Sequence, residues 1–150
     1  MKKGIIALAA LAFMAWGCSS SDDGPTPPPE IQQGTDEIPA TWVAPNYDLY
    51  EQVMFVEVQL QDTLVKYAST ADMLCATIGS EVRGLTSATQ VGGQWLFPIT
   101  IASNDANQSI DLKYYCHQLH RIFTLEQWTV FDTTTPPTGI GGIYKPVFVE

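Results

Sequence analysis

Between residues 50 and 61 apolar and polar side chains alternate. Tyr50, Gln52, Met54, Val56, Val58 and Leu60 fall on one side of an extended backbone, and Glu51, Val53, Phe55, Glu57, Gln59 and Gln61 on the other. A period of two with one largely apolar face predicts a long strand. Gln61-Asp62-Thr63 reads as a turn leading into residues 64–67. Residues 73–78 are a continuous apolar run closed by Gly79-Ser80, which predicts a buried strand, although 69–74 also admits a short helix. Residues 81–85 continue after the turn, and Val91-Gly92-Gly93 breaks the chain again. Trp95, Phe97, Ile99 and Ile101 then alternate with Gln94, Leu96, Pro98 and Thr100, and Pro98, which has no N–H, marks an edge or a bulge. After the turn residues of 103–107, Ile110, Leu112, Tyr114 and Cys116 share one face opposite Asp111, Lys113, Tyr115 and His117. Short strands follow over 122–125 and 128–131, then a proline- and glycine-containing loop over 133–142 and a closing strand over 144–149. Strands at this spacing, with no amphipathic helix, predict an all-β domain: an antiparallel β-sandwich, immunoglobulin-like or jelly-roll-like.

The N-terminus follows a different pattern. Lys2 and Lys3 precede an uncharged run from Gly4 to Gly17 that is too short to span a bilayer as a helix. The run ends in Ala15-Trp16-Gly17-Cys18, which resembles the lipobox of bacterial lipoproteins, with Trp16 a departure from the usual pattern. The resemblance implies that 1–17 is a removable signal and that Cys18 becomes a lipidated N-terminus and membrane anchor; an ordinary secretory signal or an uncleaved anchor are the alternatives. Ser19-Ser20-Ser21-Asp22-Asp23 is similar to the surface-export tag of Bacteroidetes lipoproteins, which implies an outer-membrane, cell-surface location, or else is a solvated spacer. Proline, glycine and acidic residues, including Pro27-Pro28-Pro29, mark 18–40 as a stiff, extended, disordered tether, leaving 41–150 as one domain.

Charge narrows the possible partners. Loss of Lys2 and Lys3 with the signal would leave five basic against sixteen acidic residues, a net charge of −11, which excludes nucleic acid as a partner. Cys75 and Cys116 would remain as thiols. They either pair in an oxidising exterior, where a bond closing a loop of about forty residues would stabilise by about 3–4 kcal/mol, or serve as small buried hydrophobes.

Residues 72–84, Asp72-Met73-Leu74-Cys75-Ala76-Thr77-Ile78-Gly79-Ser80-Glu81-Val82-Arg83-Gly84, resemble the D-x-x-A-A-F-x-G-x-E-x-R-G signature of small β-sandwich modules in secreted and surface proteins of Bacteroidetes. The similarity extends to Trp42 and the Tyr- and Met-containing strand after it, to the aromatic strand at Lys113-Tyr114-Tyr115, and to the glycine turn before a proline-containing strand at 141–148. Cys75 replaces a small residue of the signature and Thr77 an aromatic. The resemblance implies a non-catalytic accessory or binding module and carries no ligand with it.

Several groups are candidates for chemistry. Glu81 and Arg83, two apart on a strand, can bind a polar ligand or each other; alternatively Arg83 braces a turn or pairs with Asp72. Cys116, His117 and His120 do not make a metal site, because Cys116 and His117 point to opposite faces of a strand and no fourth ligand is suitably spaced. No nucleophile elbow accompanies the histidines, and Gly139-Ile140-Gly141-Gly142 lacks the Lys-Ser/Thr of a phosphate loop, so neither a catalytic residue nor a cofactor is assigned. Among the aromatics, Trp95 belongs to an inward face, whereas Trp42, Tyr47 and Tyr115 are the candidates for exposed ligand contact, since sugar rings stack on such side chains. Asp62-Thr63-Leu64 and Asp132-Thr133-Thr134 resemble O-glycosylation acceptors of exported Bacteroidetes proteins. Three readings result: a lipid-anchored module that binds a glycan or a protein without catalysis; an assembly lipoprotein that lends a free edge at 144–149 to a partner's sheet; and a small glycan hydrolase, which would need a pocket with converging carboxylates such as Asp105 and Asp111.

Overall fold

The computed structural model describes residues 30–137 and 142–150, so the signal segment, Cys18, the Ser/Asp tract, the triple proline and residues 138–141 lie outside the described residues. The alternating segments form strands β1 (Gln52–Gln59), β2 (Met73–Ile78), β3 (Glu81–Ser87), β4 (Thr89–Val91), β5 (Gln94–Ser103), β6 (Ser109–Cys116), β7 (Arg121–Val130) and β8 (Ile143–Tyr144), with a 3-10 turn at Tyr47–Leu49 and one helical turn, α1 (Asp62–Val65). They make two four-stranded sheets, A in the order β4-β5-β1-β8 and B in the order β3-β2-β6-β7. The pairings are antiparallel apart from β1 with β8. The all-β sandwich expected from the strand pattern is therefore the fold.

Alternation decides which side chains enter the core. Met54, Val56 and Val58 of β1 and Phe97, Ile99 and Ile101 of β5 meet Leu74 and Ala76 of β2 and Ile110, Leu112, Tyr114 and Cys116 of β6 between the sheets. Each of the larger aliphatic and aromatic side chains among them contributes about 1.5–3 kcal/mol by leaving water. Tyr114 is fully buried among aromatic rings, with Phe97 edge-to-face at 5.6 Å and Phe123 stacked at 5.9 Å between centroids. Its phenol ends on a carboxylate.

That carboxylate is Asp72, also fully buried. It accepts from Tyr114 Oη at 2.7 Å, from the His117 backbone N–H at 3.0 Å, and from Ser69 through both its N–H (3.1 Å) and its hydroxyl (2.9 Å). Four donors fill the lone pairs that an ionised carboxylate offers, which is what makes its burial tolerable. The Asp72 carbonyl also accepts from the Ala88 N–H (3.0 Å), so one residue ties the entry to β2, the centre of β6, the β6–β7 turn and the β3–β4 junction. Burial first, and the neighbouring Asp72 charge second, push the Tyr114 phenol far above its ordinary pKa, so it stays a donor.

The sandwich is closed along both sides by chain that changes sheet. On one side β3 leaves sheet B at Ala88 and continues as β4, which pairs only with Gln94–Leu96 of β5. Beyond Leu96 that side of β5 is an open edge, and Pro98, lacking an N–H, is accommodated there. Gly84 crosses this edge so closely that a Cβ would stand 2.5 Å from the Thr100 carbonyl oxygen, which explains the glycine. On the other side the C-terminal segment pairs with β1 at Ile143–Tyr144 and then bridges Val149 to Thr124 of β7, where Arg121 also meets Glu150 at 2.6 Å.

Five expectations require correction. The closing strand is short: Pro146 cannot donate and is buried with Phe148, and Val149 is engaged with Thr124, so 144–149 is not one continuous strand, and only Ile143–Tyr144 form the outer strand of sheet A. Residues 121–130 are one strand and not two; the polar Glu126-Gln127 pair is a bulge in which Gln127 takes a positive φ of 49° and its N–H donates to the Asp111 carboxylate at 2.6 Å. β4 was not anticipated, because three exposed residues carry no pattern. The stretch expected to be a disordered tether up to Ala40 is seated on the domain from Ile31 onward: Gly34 and Asp36 donate backbone hydrogen bonds to the Leu119 and His120 carbonyls, both at 2.7 Å. Residues 69–72 form a turn, not a helix, held by the Ser69–Asp72 bonds.

Replacing Asp72 by alanine strands several buried donors at once and is expected to lower unfolding free energy by about 3 kcal/mol or more, against about 1.5 kcal/mol for Tyr114→Phe, read by urea denaturation. Equal losses in the two variants would mean that the phenol bond alone matters.

Candidate functional site

Two surfaces gather most of the residues singled out by sequence, and a third carries none of them. On the outer face of sheet B, Trp42 covers Cys75 of β2 and Tyr115 of β6, flanked by Met73, Val82, Leu85 and Ile122. Trp42 is 9 % exposed and Tyr115 only 3 %. The expectation that they offer exposed rings to a ligand is thus corrected. They form a second, outer core, because the N-terminal segment lies over a sheet face that would otherwise be wet.

The same geometry resolves the cysteines. Cys75 belongs to this outer cluster and Cys116 to the core between the sheets, as residues on opposite faces of sheet B must. Both are free, buried thiols, so the proposed Cys75–Cys116 disulfide does not form and the small-hydrophobe alternative holds. Burial pushes the Cys75 thiol up to about 12 against the opposing pull of Lys113.

The second surface is the open edge of β5. Tyr47 donates from its hydroxyl to the Thr100 carbonyl (3.2 Å), and burial raises its pKa. Arg83 donates to the Ala102 carbonyl (3.4 Å), pairs with Glu81 at 2.7 Å and stacks on Tyr50 at 4.7 Å from the ring centroid. Side chains therefore cap carbonyls that a neighbouring strand would have capped. Tyr47 has a structural task in place of the ligand contact expected of it. The partner of Arg83 is Glu81, not Asp72.

The remaining candidates are also accounted for locally. His117 and His120 lie 5.8 Å apart by ring centroid, and no group of three metal-ligating side chains occurs among the described residues. Asp105 accepts from Gln108 in the β5–β6 turn, and Asp111 holds the β7 bulge. A shallow cleft of about 290 Å³ lies between α1 and the C-terminal segment, lined by Gln61, Asp62, Thr63, Lys145, Pro146 and Val147. Its one carboxylate, Asp62, is paired with Lys145 at 2.7 Å, so it lacks converging carboxylates. Thr63 and Thr133 are both exposed. Asp132 caps its loop by accepting from the hydroxyls of Thr134 and Thr135 (both 2.6 Å), and these bonds hold its carboxyl below the usual range.

The third surface is the outer face of sheet A. It presents Val53, Phe55, Glu57 and Gln59 of β1, Gln94, Pro98 and Thr100 of β5, Thr89 and Val91 of β4, and Ile143 of β8. Phe55 is 60 % exposed and Val53 52 %, and Glu57 is the one charged residue among those named. No candidate had been placed here, yet the signal is in the alternation: Val53 and Phe55 sit on the strand face that otherwise carries Glu and Gln.

No family model, curated protein or solved structure matches the chain. Function must therefore be argued from these surfaces.

Two outcomes follow. Because the folded-state pKa of Asp132 is depressed, its carboxylate stays ionised and its capping bonds stay made as pH falls through the ordinary carboxyl value of about 4; the Thr134 and Thr135 amide resonances should hold their positions through that range in an NMR titration and move only well below it. Thr77 is 5 % exposed and its hydroxyl has no hydrogen-bond partner, so Thr77→Val is expected to stabilise by about 1 kcal/mol, seen as a raised Tm.

Proposed function

We propose that this chain is a lipid-anchored, non-catalytic binding module of a bacterial cell envelope, displayed at the outer-membrane surface through Cys18, and that it holds a glycan on the outer face of sheet A. The observation that carries the reading is Phe55, a large aromatic ring left 60 % exposed on a central strand. Single exposed apolar residues need no explanation, but Phe55 adjoins Val53 and the exposed Pro98 in a contiguous patch. Amides and hydroxyls of Gln59, Gln94, Thr89 and Thr100 border it. A flat apolar centre with a neutral hydrogen-bonding rim suits the stacking face and hydroxyl groups of a sugar.

Charge supports the choice of ligand. The chain carries −9 overall, which disfavours polyanionic glycans, while the strand residues around Phe55 include one carboxylate, Glu57. A neutral polysaccharide is the class that fits. Anchoring rests on the lipobox-like Ala15-Trp16-Gly17-Cys18 and display on the Ser/Asp tract after it.

Glycan-array and polysaccharide-retardation measurements on the mature protein test the reading, with Phe55→Ala as the variant. Saturable binding that the substitution weakens at least tenfold, with stability unchanged within about 0.5 kcal/mol, is the expected result. Retention of no glycan, or equal retention of both proteins, would refute it. Anchoring has its own readout: Cys18→Ala should abolish incorporation of labelled palmitate.

A further inference from the structure

The outer face of sheet B is apolar where a solvated sheet face would be polar, and what keeps it dry is irregular chain. Met73 and Cys75 of β2, Leu85 of β3, Tyr115 of β6 and Ile122 of β7 lie beneath or beside Trp42. The segment reaching Trp42 from Ile31 forms no strand or helix, and most of its residues are exposed. It is fastened at its two ends. At one end Gly34 and Asp36 bond the Leu119 and His120 carbonyls, and the Asp36 carboxylate accepts the edge N–H of Ile122 at 2.9 Å. At the other end is the Trp42 ring. Between them, the Trp42 N–H bonds only within the segment, to the Pro39 carbonyl at 2.9 Å.

We propose that residues 31–42 are a detachable strap, which lifts from sheet B while the sandwich remains folded and uncovers the apolar groove and the Cys75 thiol beneath Trp42. Its physical basis is the separation of the two cores. Trp42, Cys75 and Tyr115 form a cluster of their own, whereas the packing between the sheets gains from the strap only the partly buried Ile31. Segments fastened by few hydrogen bonds and one apolar anchor open at a fraction of the global unfolding free energy. The strap is also where the chain from the N-terminus enters the domain, so a pull on that terminus reaches Gly34 and Asp36 before it reaches any strand. Two features set the closed geometry. A Cβ at Gly34 would stand 2.5 Å from Arg121 Cγ and 2.7 Å from the His120 carbonyl oxygen, so that end accepts glycine alone. The covered Cys75 thiol, with its raised pKa, is unreactive until water reaches it.

The two cysteines supply a built-in comparison, since strap opening exposes Cys75 only and global unfolding exposes Cys75 and Cys116 together. The full chain is treated with N-ethylmaleimide under native conditions, and modification is followed peptide by peptide by mass spectrometry. Cys75 is expected to react at least tenfold faster than Cys116. Trp42→Ala and Gly34→Ala, which loosen opposite ends of the strap, should each raise the Cys75 rate at least tenfold further and leave the Cys116 rate unchanged. Equal rates at the two sites, no reaction at Cys75, or a parallel rise at both sites in both variants would overturn the strap. If Trp42→Ala alone unfolds the domain, Gly34→Ala decides.

Discussion

A buried carboxylate organises this sandwich. Asp72 lies at the point where β2 enters sheet B, and its four donors come from its own turn, from the middle of β6 and from the turn beyond β6. An ionised group without water is tolerable only when every lone pair is filled, so the constraint acts in both directions: the surrounding chain must bring those donors to one place. Tyr114 can therefore occupy the centre of the core as a phenol, with its ring in the aromatic cluster and its hydroxyl satisfied. The Ala88 amide, held by the Asp72 carbonyl, extends the same fixed point to the corner where the chain changes sheets.

From that corner follows the treatment of the sheet edges. An edge of unpaired carbonyls and amides invites other chains, and here the exposed stretches of β5 and β7 are covered by different devices. β4 pairs with the start of β5, and Tyr47 and Arg83 cap the Thr100 and Ala102 carbonyls further along. On β7, Asp36 takes the Ile122 amide and Val149 takes Thr124. Gly84 is what lets β3 approach β5 closely enough for this closure. The Asp, Gly, Glu, Arg and Gly of residues 72–84 thus hold a buried hub, a hairpin turn, an ion pair and a close crossing. Each has a structural task.

The two outer faces then differ in kind. Sheet B has an apolar outer face that the chain covers with its own N-terminal segment, and sheet A has a mixed one, apolar, polar and acidic, that it leaves bare around Phe55. On the readings proposed above, the bare face is the one for binding and the covered face is the one whose exposure depends on the strap. Both properties rest on single aromatic residues, Phe55 and Trp42, placed on strand or strap by local sequence.

Side-chain period determined most of the fold. The alternation of Met54, Val56 and Val58 with Val53, Phe55 and Glu57, and of Phe97, Ile99 and Ile101 with Pro98 and Thr100, places strands and inward faces because a pleated backbone permits no other partition. The same rule placed Cys75 and Cys116 on their strands, but not on opposite faces of one sheet, since that depends on which strands pair and in what register. Trp42, Tyr47 and Tyr115 could not be placed for a related reason: a ring before the first strand, or on a strand's polar side, is exposed or buried according to what crosses over it. That crossing segment was read as a tether from its Pro, Gly and acidic content, yet Gly34 and Asp36 hold it down through partners some eighty-five residues away, and Trp42 through Cys75 and Tyr115. Local pattern carries the period of a strand, whereas long-range hydrogen bonds and burial decide which of its two faces stays wet.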